Sequence, residues 1–407
     1  MRPYVDAGKL VVIGVVQEQH PDRARLYRQW RQLEWPIAFD SYNRFDFEVV
    51  PIPTLIDEAG NVVAKGRVSP EKFEEFMKRP VATRSTPLER SEAPDPEQLE
   101  KNRPEWPGTM ASTSVAKAWF EYANDLAWLS DVATDPEKAH DYRDRAIEAY
   151  YRSLGKQPDN PRARFRMGVA LRKRHESADA EYGDAQRAVD MWQAALADRP
   201  SQYIWRRRLQ QFGPRLTKPY NFYGWVAEAR AAIIERGEKP VPLVREPRGS
   251  ELLGKSGSPN APNHELDLST IPRDFQNLIE AETIITPKRI RPGDRARVRV
   301  LLRPNPKHMP YWNNEGEPVI LTRLARGAHS DVVEFPAPHP QPSEAETQET
   351  RILELEIAIS DDAKSGDDMI RTTAVYTICE KASGVCRRLR CVVNIQFTID
   401  PSAQSID

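Results

Sequence analysis

The hydrophobic pattern changes period along the chain, and each change marks a new kind of structure. Lys9-Leu10-Val11-Val12-Ile13-Gly14-Val15-Val16 is a continuous β-branched run, which predicts a buried strand. Pro21 to Leu33 reads as a helix. The run Val49-Val50-Pro51-Ile52-Pro53-Thr54-Leu55-Ile56-Asp57 continues as a strand and breaks at Asp57-Glu58-Ala59-Gly60-Asn61. Val62-Val63-Ala64 predicts a third strand. Pro70 to Met77 predicts a closing helix with proline in its first turn. Further on the period becomes helical, with Trp119, Tyr122, Ala123, Leu126 and Leu129 on one face of a helix over 115–130. From 273 to 400 the period is two: Ala296-Arg297-Val298-Arg299-Val300, Leu353-Glu354-Leu355-Glu356-Ile357-Ala358-Ile359 and Val393-Asn394-Ile395-Gln396-Phe397-Thr398-Ile399. These are half-buried strands, and with turns such as Arg291-Pro292-Gly293-Asp294 they predict a β-sandwich of immunoglobulin type.

Between the patterned stretches the chain is polar and proline-rich. Pro87, Pro94, Pro96, Pro104 and Pro107 stand among Glu, Arg and Ser, which predicts a stiff, exposed linker over 81–110. Residues 237–272 form a second linker, rich in Pro, Gly and Ser. The expected organisation is therefore multidomain: a partial α/β piece at 1–80, helices at 111–236, a β-sandwich at 273–400 and a tail at 401–407. A length of 407 residues, 39% hydrophobic content and 35 prolines agree with compact domains on long connections.

The order strand–helix–strand–strand–helix, with Ile52-Pro53-Thr54 opening the middle strand, resembles the C-terminal two-thirds of a thioredoxin-like (redoxin) domain. The resemblance implies a cis proline at Pro53. It also implies that Ile52, Pro53 and Thr54 form a loop presenting backbone groups to an extended peptide. In that family the matching loop faces a Cys-x-x-Cys motif, and Met1 falls where the helix of that motif should be ending. The strand leading into the motif would lie between the strands at 9–16 and 54–57. Without it both carry unpaired backbone groups, at about 1–3 kcal/mol for each buried one. The resemblance thus implies either an upstream catalytic motif, with a selenocysteine codon there read as a stop, or a redox-dead remnant. With the motif, the activity implied is thiol-disulfide oxidoreductase or peroxidase-type redoxin.

Ala146-x-x-x-Tyr150-x-x-Ser153 followed by Pro158, and Ala188-x-x-x-Trp192-x-x-Ala195 followed by Pro200, resemble helix B of a tetratricopeptide (TPR) repeat. Asn124-Asp125-Leu126-Ala127-Trp128 and Met167-Gly168 with Ala170-Leu171 resemble the matching helices A. Extra residues are expected between the paired helices, around 130–141 and 174–184. Two repeats need support, and 203–212 with 220–236 are expected to extend and cap the array. Tyr203-Ile204-Trp205-Arg206-Arg207-Arg208 reads as a helix with aromatics inward and arginines solvated, or as a phosphate or peptide clamp. The aromatic run Tyr220, Phe222, Tyr223 and Trp225 reads as a packed cap or as a ligand groove.

Charge adds little direction. The 59 basic and 60 acidic side chains balance, which gives no support for nucleic acid as the main partner, and no apolar run approaches a membrane span. No signal-peptide pattern opens the sequence, so as it reads the protein is cytoplasmic, or exported if its start lies upstream. No zinc-type cysteine spacing, His-x-x-x-His pair, nucleophile elbow or phosphate loop is present, so neither cofactor nor metal is expected. The chemistry that remains is in the three cysteines. Cys379 and Cys386 flank Glu380-Lys381-Ala382-Ser383-Gly384-Val385, and a hairpin there brings them within disulfide reach. With Lys288-x-x-x-Pro292-Gly293-Asp294 and His308-Met309-Pro310-Tyr311-Trp312 through Pro318, the segment resembles the N-terminal periplasmic domain of the thiol:disulfide interchange reductase. The resemblance implies an electron-shuttling pair acting on protein thiols. Arg387 and Arg388 would favour the thiolate. A fixed hairpin disulfide or two idle thiols is the alternative. Cys391 shares the inward phase of Val393, Ile395 and Phe397 and reads as a core residue, or as a resolving thiol for the pair. Two functions follow. One is a thiol/disulfide redox protein. The other is a non-catalytic scaffold whose TPR-like helices hold a peptide or protein while both end domains are inert.

Overall fold

The computed structural model describes residues 1–80, 112–212, 222–244, 246–247, 267–334, 345–381 and 383–403. The expected linker at 81–110 and most of that at 237–272 lie outside the described residues. The chain is multidomain and contains helices and several sheets. It forms two compact units: residues 1–19, 35–174 and 198–206, and residues 20–34, 175–197 and 207–407.

The N-terminal segment runs α1 (Arg2–Asp6), β1 (Gly14–Val16), α2 (Pro21–Arg31), β2 (Ile37–Phe39), β3 (Thr54–Ile56), β4 (Val62–Lys65) and α3 (Pro70–Lys78). The strand expected over 9–16 keeps only its last three residues. Its partner is β2, a parallel strand that the hydrophobic pattern did not reveal. β3 and β4 make a separate antiparallel hairpin. Its turn is set by the Asp57 carboxylate, which accepts the N–H groups of Ala59 and Asn61 at 3.0 and 2.7 Å, while Gly60 takes φ +86°. Hydrogen bonds from Asn61 hold that carboxyl below its usual range. Ser69 caps α3 by accepting the Lys72 N–H, as the Ser-Pro start implies. Among the described residues no ladder joins β1 to β3. Val11, Ile13, Ile56 and Val62 remain exposed.

The helices are α4 (Ser112–Val132), α5 (Pro136–Lys156), α6 (Pro161–His175), α7 (Asp184–Asp198), α8 (Tyr203–Phe212) and α9 (Trp225–Glu235). The extra residues expected around 130–141 are mostly helix, because Asp135 caps α5 by accepting the Glu137 N–H and Pro136 opens its first turn. In the first unit α4 and α5 pack closely. Ala123, Ala127, Ala146 and Ala149 are buried, and Ser153 Oγ donates to the Ala116 carbonyl at 2.9 Å. In the second unit α2 packs on α9. Leu26, Tyr223, Val226 and Ile233 form a small core, and Trp30 stacks on Trp225 with ring centroids 5.7 Å apart. The described part of the aromatic run at 220–225 is therefore packed. On α8, Ile204, Trp205 and Leu209 are buried as expected, but Arg208 is fully buried rather than solvated.

After a single 3-10 turn, the remaining elements are β5 (Ile279–Thr286), β6 (Arg289–Ile290), β7 (Arg295–Pro304), β8 (Pro310–Asn313), β9 (Ile320–Ala325), β10 (Ser330–Glu334), β11 (Glu346–Thr347), β12 (Arg351–Ile359), β13 (Gly366–Glu380) and β14 (Cys386–Ile399). One sheet has the order β10-β12-β7-β5. The other has β11-β8-β13-β14-β6, with β9 also on β13. The alternating residues do what their period requires. Val298, Val300, Leu353, Leu355 and Ile357 from the first sheet share one core with Trp312, Ile370, Tyr376, Val393, Ile395 and Phe397 from the second. The charged partners of those strands pair across the opposite face, as Arg295 does with Glu356 at 2.7 Å and Arg299 with Glu354.

Candidate functional site

The longest hairpin among the described residues carries the cysteine pair. β13 and β14 stay in register from Gly366 opposite Ile399 to Cys379 opposite Cys386. The turn closes where Gly384, at φ +65°, donates its N–H to the Glu380 carbonyl at 2.8 Å and Glu380 donates to Val385 at 3.1 Å. Cys379 and Cys386 are therefore directly opposed. Their Cα atoms are 3.9 Å apart and their sulfurs are bonded. The two sides of the bond differ. Cys379 lies on an inner strand, flanked by Cys386 on β14 and Tyr311 on β8, and is only 1% exposed. Cys386 is the first residue of β14, just after the turn, and is exposed.

The neighbouring arginines each face a carboxylate. Arg387 faces the Glu380 carboxylate at 3.7 Å, and Arg388 is paired with Glu317. Each cation next to the pair is thus partly offset by a carboxylate. Cys391 is likewise no resolving thiol. It is five positions beyond Cys386 on one strand, so the two side chains leave opposite faces of the sheet. Cys391 is opposite Ala374, packs against the core, and burial pushes its thiol up to about 11.

The second predicted site is altered in detail. The cis peptide of that stretch is Val50–Pro51, and Ile52–Pro53 is not cis. The Pro53 carbonyl accepts the Gly66 N–H at 3.0 Å, next to the Thr54–Lys65 pair, so the ladder of β3 and β4 starts at this residue. Pro53 is exposed, and Ile52 and Thr54 are half-buried.

Sequence reasoning missed a further cluster, in the first unit. Residues 40–48 form a compact loop held by helical side chains. Arg166, which is buried, donates from Nε to the Tyr42 carbonyl at 3.3 Å and from Nη2 to the Asn43 carbonyl at 3.4 Å. Its Nη1 donates to Asn124 Oδ1 at 2.9 Å, and Arg44 Nη2 donates to the Asn124 carbonyl at 2.7 Å. Arg162 pairs with Asp46, and Arg199 Nη2 donates to Glu48 Oε1 at 2.9 Å. The Tyr203 N–H donates to the Glu48 carbonyl at 3.0 Å. Asp40-Ser41-Tyr42-Asn43 carries a turn signal, but nothing in its spacing points to helices more than a hundred residues away.

Among the described residues no group of three or more His, Cys, Asp or Glu side chains is placed to hold a metal ion, and no helix is long and apolar enough to cross a membrane. Comparison with known proteins adds little. No family model matches the chain, and no curated protein matches it. One solved structure, Pseudomonas fluorescens alkylpurine DNA glycosylase AlkC bound to DNA containing an abasic site analog, is 14% identical, with 71% of this chain and 67% of that one covered. Its TM-score is 0.16, so the likeness carries no argument about fold or function.

Proposed function

We propose that this protein is a thiol/disulfide redox protein whose exchangeable bond in this chain is Cys379–Cys386. In this reading the β region is an immunoglobulin-type sandwich like that of the interchange reductase. The N-terminal segment is a thioredoxin-like piece, and the helices between them are TPR-like. The observation that carries the reading is the asymmetry of the bond, with an exposed sulfur at Cys386 and a buried one at Cys379. A thiolate of a partner protein attacks Cys386 Sγ in line with the bond. The partner–Cys386 disulfide forms, the Cys379–Cys386 bond breaks, and Cys379 leaves as a thiolate that takes up a proton. A second thiolate of the partner then attacks its own sulfur in the mixed disulfide and releases Cys386. The partner dithiol is oxidised by two electrons and the hairpin pair is reduced. The reverse sequence reduces an oxidised partner.

The test is a thiol count under native conditions with a dithiol reductant, followed by reoxidation. One reversible pair is expected. With oxidised glutathione, Cys379→Ser is expected to form a mixed disulfide at Cys386, while Cys386→Ser forms little because Cys379 is buried. If the bond is reduced only after unfolding, it is a fixed hairpin disulfide. The exchange reading then fails and the binding-scaffold reading replaces it.

A further inference from the structure

The exposed sulfur of the cysteine pair stands on an open strand edge. Glu380 donates its N–H to the Val385 carbonyl at 3.1 Å, and bonded pairs alternate with non-bonded ones along an antiparallel ladder. In the register of β13 and β14 the pairs Cys379–Cys386, Thr377–Arg388 and Val375–Arg390 are therefore the non-bonded ones. The N–H and C=O groups of Cys386, Arg388 and Arg390 point away from β13. Arg390 shows what this side of β14 accepts. Its N–H donates to the Pro272 carbonyl at 3.0 Å and its carbonyl accepts the Asp274 N–H at 2.9 Å, in a parallel bridge with Arg273. Before Ile271 the chain forms the 3-10 turn at Leu268–Thr270 and is no longer part of the ladder. Among the described residues, no backbone group pairs with the outward groups of Cys386 and Arg388. Cys386 and Arg387 are exposed, and Arg388 is half-buried.

We propose that the partner in thiol exchange docks as an extended antiparallel segment on the β14 edge at Cys386–Arg388, with its attacking cysteine opposite Cys386. The docking rests on the exchange reading of the pair and names how its partner is recognised. Three features converge on this edge. A bond between directly opposed residues runs across the ladder, so a thiolate in line with it reaches Cys386 Sγ from beyond β14. The residue opposite Cys386 on an added strand has its Cα about 5.5 Å away and its side chain on the same face, and disulfides span about 4.4–6.8 Å between Cα atoms. The outward N–H and C=O groups of Cys386 and Arg388 supply two rungs for that strand, before Pro272–Asp274 takes the third at Arg390. The side chains of Arg387 and Arg388 leave the two faces of the sheet and not its edge, so they leave the rungs clear. Recognition by rungs reads backbone. The partner class is therefore a protein that presents its cysteine in an extended segment, since a residue inside a helix has its backbone groups already bonded.

The test uses the full chain carrying Cys379→Ser, which frees Cys386. The probe is a short peptide of alternating valine and threonine with one cysteine, activated as its thiopyridyl disulfide. The Cys386 thiolate attacks the peptide sulfur, the peptide–Cys386 disulfide forms and thiopyridone leaves. Its absorbance gives the rate, and mass spectrometry locates the adduct at Cys386. N-methylation of the peptide two residues before its cysteine removes the rung to the Arg388 carbonyl and should slow the reaction about fivefold. N-methylation one residue before, where the N–H points away from β14, should leave the rate unchanged. On the protein side, Arg388→Pro should react with the peptide about fivefold more slowly than Arg388→Ala. Both lose the pair with Glu317, and only proline loses the outward N–H. Glutathione activated in the same way, too short to add a strand, should react equally with both variants. Equal rates for the two methylated peptides overturn the docking, while reaction with activated glutathione would still show exchange at Cys386. A Cys386 inert to activated glutathione overturns both readings. If Arg388→Pro fails to fold by circular dichroism, the two methylated peptides decide.

Discussion

Tyr376 and Asp274 illustrate how a polar pair is held inside the β core. Burial raises the tyrosine hydroxyl far above its ordinary range, and it donates to Asp274 Oδ2 at 2.8 Å. The same carboxylate accepts the N–H groups of Leu278 and Ile279 at 3.1 and 3.0 Å. Tyr376→Phe removes one of these bonds and keeps the ring, so a loss of about 1–2 kcal/mol is expected in the urea unfolding free energy. Cys391 packs nearby, and burial pushes its thiol up to about 11. At pH 8 its thiolate is then on the order of a hundredfold scarcer than that of a free cysteine. Native alkylation by iodoacetamide should be slower than in denaturant by at least that margin, and rapid native labelling would contradict the placement of Cys391 against the core. At Asp368, burial opposes ionisation but is outweighed by hydrogen bonds from Ser330 Oγ and from the N–H groups of His329, Ala328 and Met369. Its carboxyl is thereby held below the usual range. A carboxyl lowered by folding stabilises the fold above its unfolded pKa of about 3.9 and loses that contribution as pH falls through its folded value. Stability should therefore decline below about pH 4, and Asp368→Asn should flatten that acid limb in urea titrations at pH 3 and pH 7.

At the scale of elements, the exposed edge of the four-stranded sheet is managed by a helix. β5 ends that sheet, and an unpaired edge invites further strands. Gln186 on α7 pairs with the β5 backbone in both directions. It accepts the Ile285 N–H at 2.8 Å and donates to the Ile285 carbonyl at 3.0 Å. The Gly183 N–H also donates to Glu282 at 3.0 Å, while Arg303 donates to the other oxygen of that carboxylate at 2.8 Å. Gln186→Ala leaves both Ile285 groups unpaired, with an expected cost of about 1–3 kcal/mol. Faster amide exchange at Ile285 would report it locally. The turn before β10 depends on a missing side chain. A Cβ on Gly327 would stand 2.1 Å from Ser330 Oγ and 2.6 Å from Asp368 Oδ2, inside the network that holds Asp368. Gly327→Ala should therefore destabilise by roughly 1–3 kcal/mol, and Ser330→Ala in the same chain should relieve part of that cost.

For the whole molecule, the question is whether the β region keeps its fold when the pair is reduced. The bond closes a short loop whose ends the ladder already holds, with sequence separation 7. Chain entropy puts its contribution at no more than about 2.5 kcal/mol. Cys379→Ser with Cys386→Ser should leave amide protection along β13 and β14 in place except at the turn, as a reversible site requires. Wholesale loss of protection would mark the bond as structural. The opposition of Cys379 and Cys386 could be read from the sequence because a hairpin sets register locally, and two strands of period two with a Gly-containing turn leave few alternatives. The cores of β7, β12 and β14 were legible for the same reason, and so was the proline start of α3. The sequence was silent where partners are distant. β2 is three residues long and pairs in parallel, which no local period reveals. Nothing near α2 indicates α9 as its partner, and nothing near Tyr42 indicates Arg166. The long periodic elements and the cysteine register were thus determined by the sequence alone, through spacing and turn chemistry. Tertiary structure decided which sulfur is accessible, which arginines are already paired and what the loop at 40–48 touches. These depend on which residues far apart in the chain come to share a buried surface, and periodicity carries no record of that.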